Sequence, residues 1–411
     1  MGSFFFDADG DGYPDLLVTG GSDEFSPGSP VYIPRLFMND GKGHFTFKPG
    51  AIPATVNTSA CVITGTDFDG DGNMDLFIGG RVSSSFPISP RSYILRNEHG
   101  IFKDVTEEVC PALISPGMVT AAVWTDFDND HKTDLVIAGE WMPVRFFKNT
   151  GRKLEEVTAS TGLTGMSGQW RSLIAVDVDK DGDMDFVAGN LGSNNRFHVT
   201  PEQPLMLYAA DLDNNGILDP VTFYYIKDRK GQKQLYPAIS RDQFAGEVPS
   251  IKKKFLYYKD YGTALFTDIY PEEMRKDLLT LKCEETRSCW FENLGNGKFI
   301  KHPLPVEAQF APVNAIVCDD LDGDGNNDLI LAGNEYQTEP MTGRYDASYG
   351  LFLKGDVHHH FIPVPSQQSG LLLQGDVKDL REIRTAEGDK LILVGINDDS
   401  MKVFKVNHIG K

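Results

Sequence analysis

The stretch Asp67-Phe-Asp-Gly-Asp-Gly-Asn-Met-Asp75, running straight into Leu76-Phe-Ile-Gly-Gly80, constrains this chain more than any other. Carboxylates stand at positions 1, 3, 5 and 9 of nine residues, and Gly72 holds position 6. That pattern suits one hard cation: Ca²⁺ takes about six to eight oxygens, and a glycine at position 6 permits the sharp turn. Asn73 at position 7 would add its backbone carbonyl. An EF-hand needs a Glu at position 12 and a helix on either side. Position 12 here is Ile78, inside an apolar run, so the segment is read as a calcium loop joining two strands.

The loop recurs. Asp67, Asp69, Asp71, Asn73 and Asp75 are matched by Asp7, Asp9, Asp11, Tyr13 and Asp15, and by Asp126, Asp128, Asp130, Lys132 and Asp134. Three further sets are Asp177, Asp179, Asp181, Asp183 and Asp185; Asp211, Asp213, Asn215, Ile217 and Asp219; and Asp320, Asp322, Asp324, Asn326 and Asp328. The fourth residue of each set is position 7, a backbone ligand. His131 occupies the glycine position of its loop, which strains the turn, and Asn215 is neutral where its counterparts are acidic. Four loop carboxylates per repeat, three in the Asp211 repeat, amount to 23 negative charges. Against a net charge of −20 this leaves +3, so the loops hold the whole acidic excess. Carboxylates crowded this closely require a cation, and about four to six Ca²⁺ ions are expected, structural in role.

The surroundings of each loop repeat as well. An apolar strand precedes it (Ala121-Ala-Val-Trp-Thr125) and one ending in Gly follows (Leu135-Val-Ile-Ala-Gly139). An aromatic hairpin with an Asn/Gly turn comes next, as in Leu36–Phe45 or Trp290–Phe299. Four short strands per repeat describe a propeller blade. The expected fold is all-β: a seven-bladed β-propeller, or a six-bladed one, with a partly helical insertion. The whole of 1–411 reads as one propeller domain with the insertion at 227–282, where Val248–Leu281 has a helical composition. The spacing of 34 between Asp177 and Asp211 is too short for a blade. Leu205–Tyr208 is therefore expected as the third strand of the same blade, with the Asp211 loop joining strands three and four. A degenerate last unit starts near Gly375 and offers three strands, so its fourth would come from residues upstream of Met1.

Composition narrows the function. A hydrophobic fraction of 40% is enough for a sizeable core. The negative charge argues against nucleic acid. There is no transmembrane run, and the opening residues do not read as a signal peptide, because Phe4-Phe-Phe6 leads directly into Asp7. Of the five cysteines, Cys61 and Cys318 lie in apolar strands and read as core thiols; Cys283 and Cys289 either pair across the start of a hairpin or stay free.

These repeated motifs resemble the FG-GAP/VCBS repeat family, the calcium-loop propellers also found in integrin α-subunits. The segments Ala188-Gly-Asn-Leu-Gly, Ala308-Gln-Phe-Ala-Pro and Gly343-Arg-Tyr-Asp-Ala-Ser-Tyr349 look like those of large exported VCBS-repeat proteins of Bacteroidota. The resemblance implies a binding module, periplasmic or at the cell surface, joined to other domains of a longer polypeptide.

Topology places any ligand site at the blade ends opposite the loops. Residues expected there are Trp141, Trp170, Arg171, Asn190, Asn194, Arg196, Tyr336, Arg344, Tyr345 and Asp346, with Arg241 from the insertion. Aromatic, amide and charged side chains together suit a glycan or a protein ligand. No catalytic residues are assigned. The alternative is a carbohydrate-active enzyme, a glycoside hydrolase or polysaccharide lyase, with acid and base among Glu140, Glu335, Asp242 and Asp346.

Overall fold

The computed structural model describes residues 2–163, 165–339 and 342–407. Seven antiparallel sheets form an all-β propeller. Six of them follow in chain order, with inner strands Ser3–Phe6, Ala60–Thr66, Met118–Thr125, Ser172–Val176, Val313–Asp319 and Val377–Arg384. Each inner strand lies against the next around the array. The second strands Asp75–Gly80, Asp185–Gly189 and Asp328–Gly333 are buried along their whole length, because a neighbouring sheet covers each face. The sixth sheet holds three strands.

The apolar cores lie between sheets. Leu17 and Leu36 of the first sheet pack with Leu76, Ile78 and Leu95 of the second. Phe77 and Ile94 of the second meet Leu135, Ile137 and Phe147 of the third. The same alternation continues through the third and fourth, fourth and fifth, and fifth and sixth sheets. The glycine that ends a second strand answers to this packing. A Cβ on Gly189 would lie 2.2 Å from the carbonyl oxygen of Val313 in the next sheet.

The fourth sheet departs from the expected connection. Leu205–Ala210 pairs with Asp219–Lys227 and Leu279–Cys283, in a separate sheet completed by Lys233–Pro237. The third strand of the fourth sheet is Cys289–Asn293, with Phe291 opposite Phe186 and Cys289 opposite Ala188. The physical reason is local: the Asp211 loop closes a hairpin whose two strands are already satisfied by each other. Everything between Gly189 and Cys289 is thus an excursion from one sheet. It carries the helices Arg241–Glu247, Ser250–Lys254, Tyr258–Tyr261 and Phe266–Ile269, packed on Val221 and Phe223. Cys283 and Cys289 are both buried free thiols.

Candidate functional site

Each acidic loop is built by its own carboxylates. In the first, Asp7 Oδ1 accepts the N–H of Gly10 at 2.8 Å and of Asp11 at 3.2 Å, and its Oδ2 accepts that of Gly12 at 2.8 Å. Asp67 repeats this with Gly70, Asp71 and Gly72. Position 5 accepts the N–H of position 7, as Asp71 does from Asn73 at 2.8 Å. His131 takes φ +66°, in the region Gly12 and Gly72 use at their loops.

Position 9 has a second task that the sequence did not reveal. Asp75 Oδ2 accepts the N–H of Phe68 at 3.4 Å, and its Oδ1 accepts that of Asn97, at the end of the third strand, at 2.8 Å. Asp15, Asp134 and Asp185 form the same bracket with Asn39, Asn149 and Asn293. The asparagine then reaches into the preceding sheet: Asn97 Nδ2 donates to the carbonyl of Ala8, Asn149 Nδ2 to that of Phe68, and Asn293 Nδ2 to that of Phe127, at 2.8–2.9 Å. The loops at Asp7, Asp67 and Asp126 are therefore sewn both to their own sheet and to the next.

The residues fit a bound cation. Carboxylate oxygens of Asp7, Asp9 and Asp15 lie within 4.8 Å of one another, as do those of Asp67, Asp69 and Asp71, of Asp126, Asp128 and Asp134, of Asp177, Asp179 and Asp185, and of Asp211, Asp213 and Asp219. Oδ1 of Asp9, Asp69, Asp128 and Asp177 is buried and has no hydrogen-bond partner. Burial, reinforced by the neighbouring aspartates, pushes Asp75, Asp134 and Asp185 up to about 7. Only oxygen donors are present, which favours Ca²⁺ over softer metals. Three loops also receive a basic side chain from the third strand. Arg96 Nε donates to Asp69 at 2.9 Å, Lys148 engages Asp128 and Asp130, and Lys354 engages Asp322 and Asp324.

At the opposite ends of the blades the expected residues divide into two groups. Trp170 is fully buried and packs edge-on against Phe291 at 5.7 Å, so it belongs to the core and presents no ligand platform. Asn190 is also fully buried. It accepts the N–H of Gln169 and Leu191 and donates to the carbonyl of Glu285. Both were expected at the surface because strand ends border loops, but Trp170 turns into the core between the third and fourth sheets, and the returning segment at Glu285 caps Asn190. Arg241 stacks on Tyr258 at 3.9 Å and pairs with Asp242 within the insertion. Arg196 donates to the carbonyl of Ala238 and stacks on Phe197, and Asn194 donates to that of Phe310.

The second group converges across sheets. Glu140, at the end of the third sheet's second strand, binds Arg81 of the second sheet at 3.0 Å and Arg171 of the fourth at 2.9 Å. Arg171 faces Glu335 of the fifth sheet at 3.9 Å, and Glu335 meets Lys378 of the sixth at 3.4 Å. Lys378 also binds Asp376 at 2.8 Å. The result is a ladder of alternating charge over five sheets. Burial raises the Glu140 carboxyl, but Arg171 and Arg81 outweigh it and hold it below the usual carboxylate range. Arg171 therefore stands between the two glutamates, and Glu140 stays ionised, which suits an ion-pair partner better than a proton donor. Sequence reading placed Arg171, Glu140 and Glu335 at this end but missed Arg81 and Lys378, which carry no motif.

Around the ladder lie half-buried Trp141, at φ +60°, and Tyr336, with exposed Arg344 over its ring at 4.6 Å. Tyr345 exchanges backbone hydrogen bonds with Glu335. Burial raises its phenol, and nearby Arg196 and Arg171 oppose that shift. Asp346 is exposed.

Fold and loops together define a class: a β-propeller whose sheets open with acidic strand-to-strand loops sewn to the neighbouring sheet. The FG-GAP-like repeat profile matches residues 7–78 and 126–188, so these two segments carry FG-GAP-like repeats. No curated protein matches its sequence. Among solved structures, BBS1N in complex with ARL6DN is 9% identical, with a TM-score of 0.36 over 99% of this chain and 92% of that one. The Vibrio cholerae biofilm matrix protein Bap1 is 9% identical, with a TM-score of 0.37 over 99% and 77%. Saccharomyces cerevisiae Sqt1 is 10% identical, with a TM-score of 0.41 over 97% and 85%. Likeness at this level carries nothing about function. Among the described residues no helix is long and apolar enough to cross a membrane.

Proposed function

We propose that this chain is a calcium-stapled propeller that serves as a binding module of an exported or cell-surface protein, taking a glycan or a protein at the blade ends opposite its acidic loops. The charge ladder from Arg81 to Lys378 carries this reading, because it gathers side chains of five sheets at one end while the loop carboxylates at the other are engaged in brackets. Trp141, Tyr336 and Arg344 supply aromatic and guanidinium surface beside it. Calcium is supported by the orphaned loop oxygens, and an extracellular setting by the millimolar Ca²⁺ that sites of this type use there. The inserted segment 227–282 belongs, on this reading, to the same domain.

The test is a glycan array and a panel of surface-protein extracts, probed with the calcium-loaded chain. Trp141→Ala and Arg344→Ala, both outside the core, should each reduce binding at least tenfold. Binding that both variants leave unchanged would remove this end of the propeller from consideration.

A further inference from the structure

Five acidic loops share one bracket, closed on the third strand by the backbone N–H of Asn39, Asn97, Asn149, Asn293 or Gly355. The residue just before each of these stands at the same place in all five sheets, yet its charge differs: Met38, Arg96, Lys148, Glu292 and Lys354.

In the second sheet Arg96 Nε donates to Asp69 Oδ2 at 2.9 Å. In the third, Lys148 binds Asp128 and lies 3.1 Å from Asp130 Oδ2, where Lys132 adds a second cation at 3.2 Å. In the fifth, Lys354 binds Asp322 and lies 2.8 Å from Asp324 Oδ2. Met38 is uncharged and packs against the core of the first two sheets. Glu292 turns to His302 at 2.6 Å, so the Asp177 loop, with its five aspartates, receives no cation from its third strand. Lys180, inside that loop, donates instead to the Gly325 carbonyl of the next one. Among the described residues, third-strand ion pairs reach the loops at Asp67, Asp126 and Asp320 alone.

A built-in cation acts on a loop in two ways. Without metal it offsets the repulsion between carboxylates, so the loop keeps its shape unaided. With metal it repels the ion and draws charge from the ligand oxygens. An outer carboxylate behind a ligating His raises ligand basicity, and a cation behind a ligating aspartate does the reverse. The coordinating oxygen itself stays free: Asp69 is nine-tenths buried, and its Oδ1, like that of Asp128, has no hydrogen-bond partner. Arg96 and Lys148, bound at Oδ2, therefore weaken their sites without blocking them.

We propose that this one position grades the loops. Those at Asp7 and Asp177 take Ca²⁺ tightly and need it for their shape, whereas those at Asp67, Asp126 and Asp320 bind it weakly and stand on an internal cation. The grading rests on the calcium reading above and specifies which staples the ion controls.

Hydrogen exchange read by mass spectrometry, on the full chain at a series of buffered free Ca²⁺ concentrations, follows each loop separately. Segments 7–15 and 177–185 should gain protection at Ca²⁺ levels about tenfold lower than 67–75, 126–134 and 320–328. In EDTA they should be the less protected. Lys354→Met, which puts the Met38 side chain at the equivalent place, should lower the Ca²⁺ midpoint of 320–328 about tenfold. It should also reduce protection of that segment in EDTA and leave 177–185 unchanged. Met38→Lys should raise the midpoint of 7–15. Equal midpoints in all five loops, or a Lys354→Met midpoint that stays in place or rises, would overturn the grading and leave calcium as the staple. A chain in which no loop responds to Ca²⁺ would overturn both.

Discussion

Asn149 shows how much one neutral side chain can join. Its backbone N–H donates to Asp134 Oδ1 at 2.7 Å, and its Oδ1 accepts from Gly151 at 2.8 Å. Its amide nitrogen donates to the carbonyls of Phe68 at 2.8 Å and Thr133 at 3.0 Å. Three of these bonds depend on the side chain, and one of them crosses to another sheet. Asn149→Ala would leave buried carbonyls unsatisfied at about 1–3 kcal/mol each, so a loss of about 2–3 kcal/mol is expected in urea unfolding. A loss under about 0.5 kcal/mol, the scale of an ordinary surface change, would refute this joining role of the amide. The sequence displayed the aspartates of these brackets through their spacing, whereas the asparagines looked like turn residues of a hairpin. Nothing in a one-dimensional pattern says which carbonyl an amide will reach 81 positions away.

Glu285 supplies a pH test at the same scale. Burial raises its carboxyl, but Arg287 and Lys301 outweigh it and hold it down at about 2. A folded pKa below the unfolded value near 4.5 means that the stabilisation is full above about pH 4.5 and disappears as pH falls toward 2. Wild type should therefore exceed Glu285→Gln in stability at pH 6, and the gap should narrow steadily between pH 4.5 and 2. A gap independent of pH would show that the ion pairs contribute nothing.

At the scale of elements, strand type and the acidic loops were legible because their periods are short. The strands Val377–Arg384 and Lys390–Ile396 fall where the alternation of the final unit puts them. The wrong assignment of Leu205–Ala210 came from treating sequence adjacency as sheet adjacency. The hairpin Trp290–Phe299, built like Leu36–Phe45, held the right answer, since its Asn293 completes the bracket to Asp185. Asn190 failed as a surface residue for a related reason, since a strand end borders solvent only if no excursion folds back over it, whereas Trp170 turns into the core between the third and fourth sheets. Gly79 and Gly189, in second strands, proved to be spacers between sheets. Gly189→Ala would place a methyl 2.2 Å from the Val313 carbonyl, and should cost about 3 kcal/mol or more as the two sheets are forced apart. A melting temperature unchanged by this substitution would show that the sheets can slide freely.

Across the whole molecule, stability is shared between neighbouring sheets, because each apolar core has walls from two of them. The loops stand at these same seams: the side chains of Phe68 and Phe127, at position 2, are buried in the core shared with the next sheet. Cation loss should therefore loosen joints between sheets as well as the loops themselves. EDTA is expected to lower the melting temperature by several degrees and excess Ca²⁺ to restore it. An identical melting curve with and without EDTA would rule out calcium as the staple.

The excursion between the second and third strands of the fourth sheet begins and ends at one spot, where Gly192 N–H donates to the Thr286 carbonyl at 2.7 Å. A chain that departs and returns through touching residues has, in effect, a socket. The strands on either side, Asp185–Gly189 and Cys289–Asn293, are already paired and do not rely on what is plugged in for their register. Joining Gly192 to Thr286 by a short Gly-Ser turn should yield a trimmed propeller that still melts cooperatively and responds to calcium through its remaining loops. By the same geometry a foreign domain with closely spaced termini could be mounted there, leaving the opposite, acidic end undisturbed.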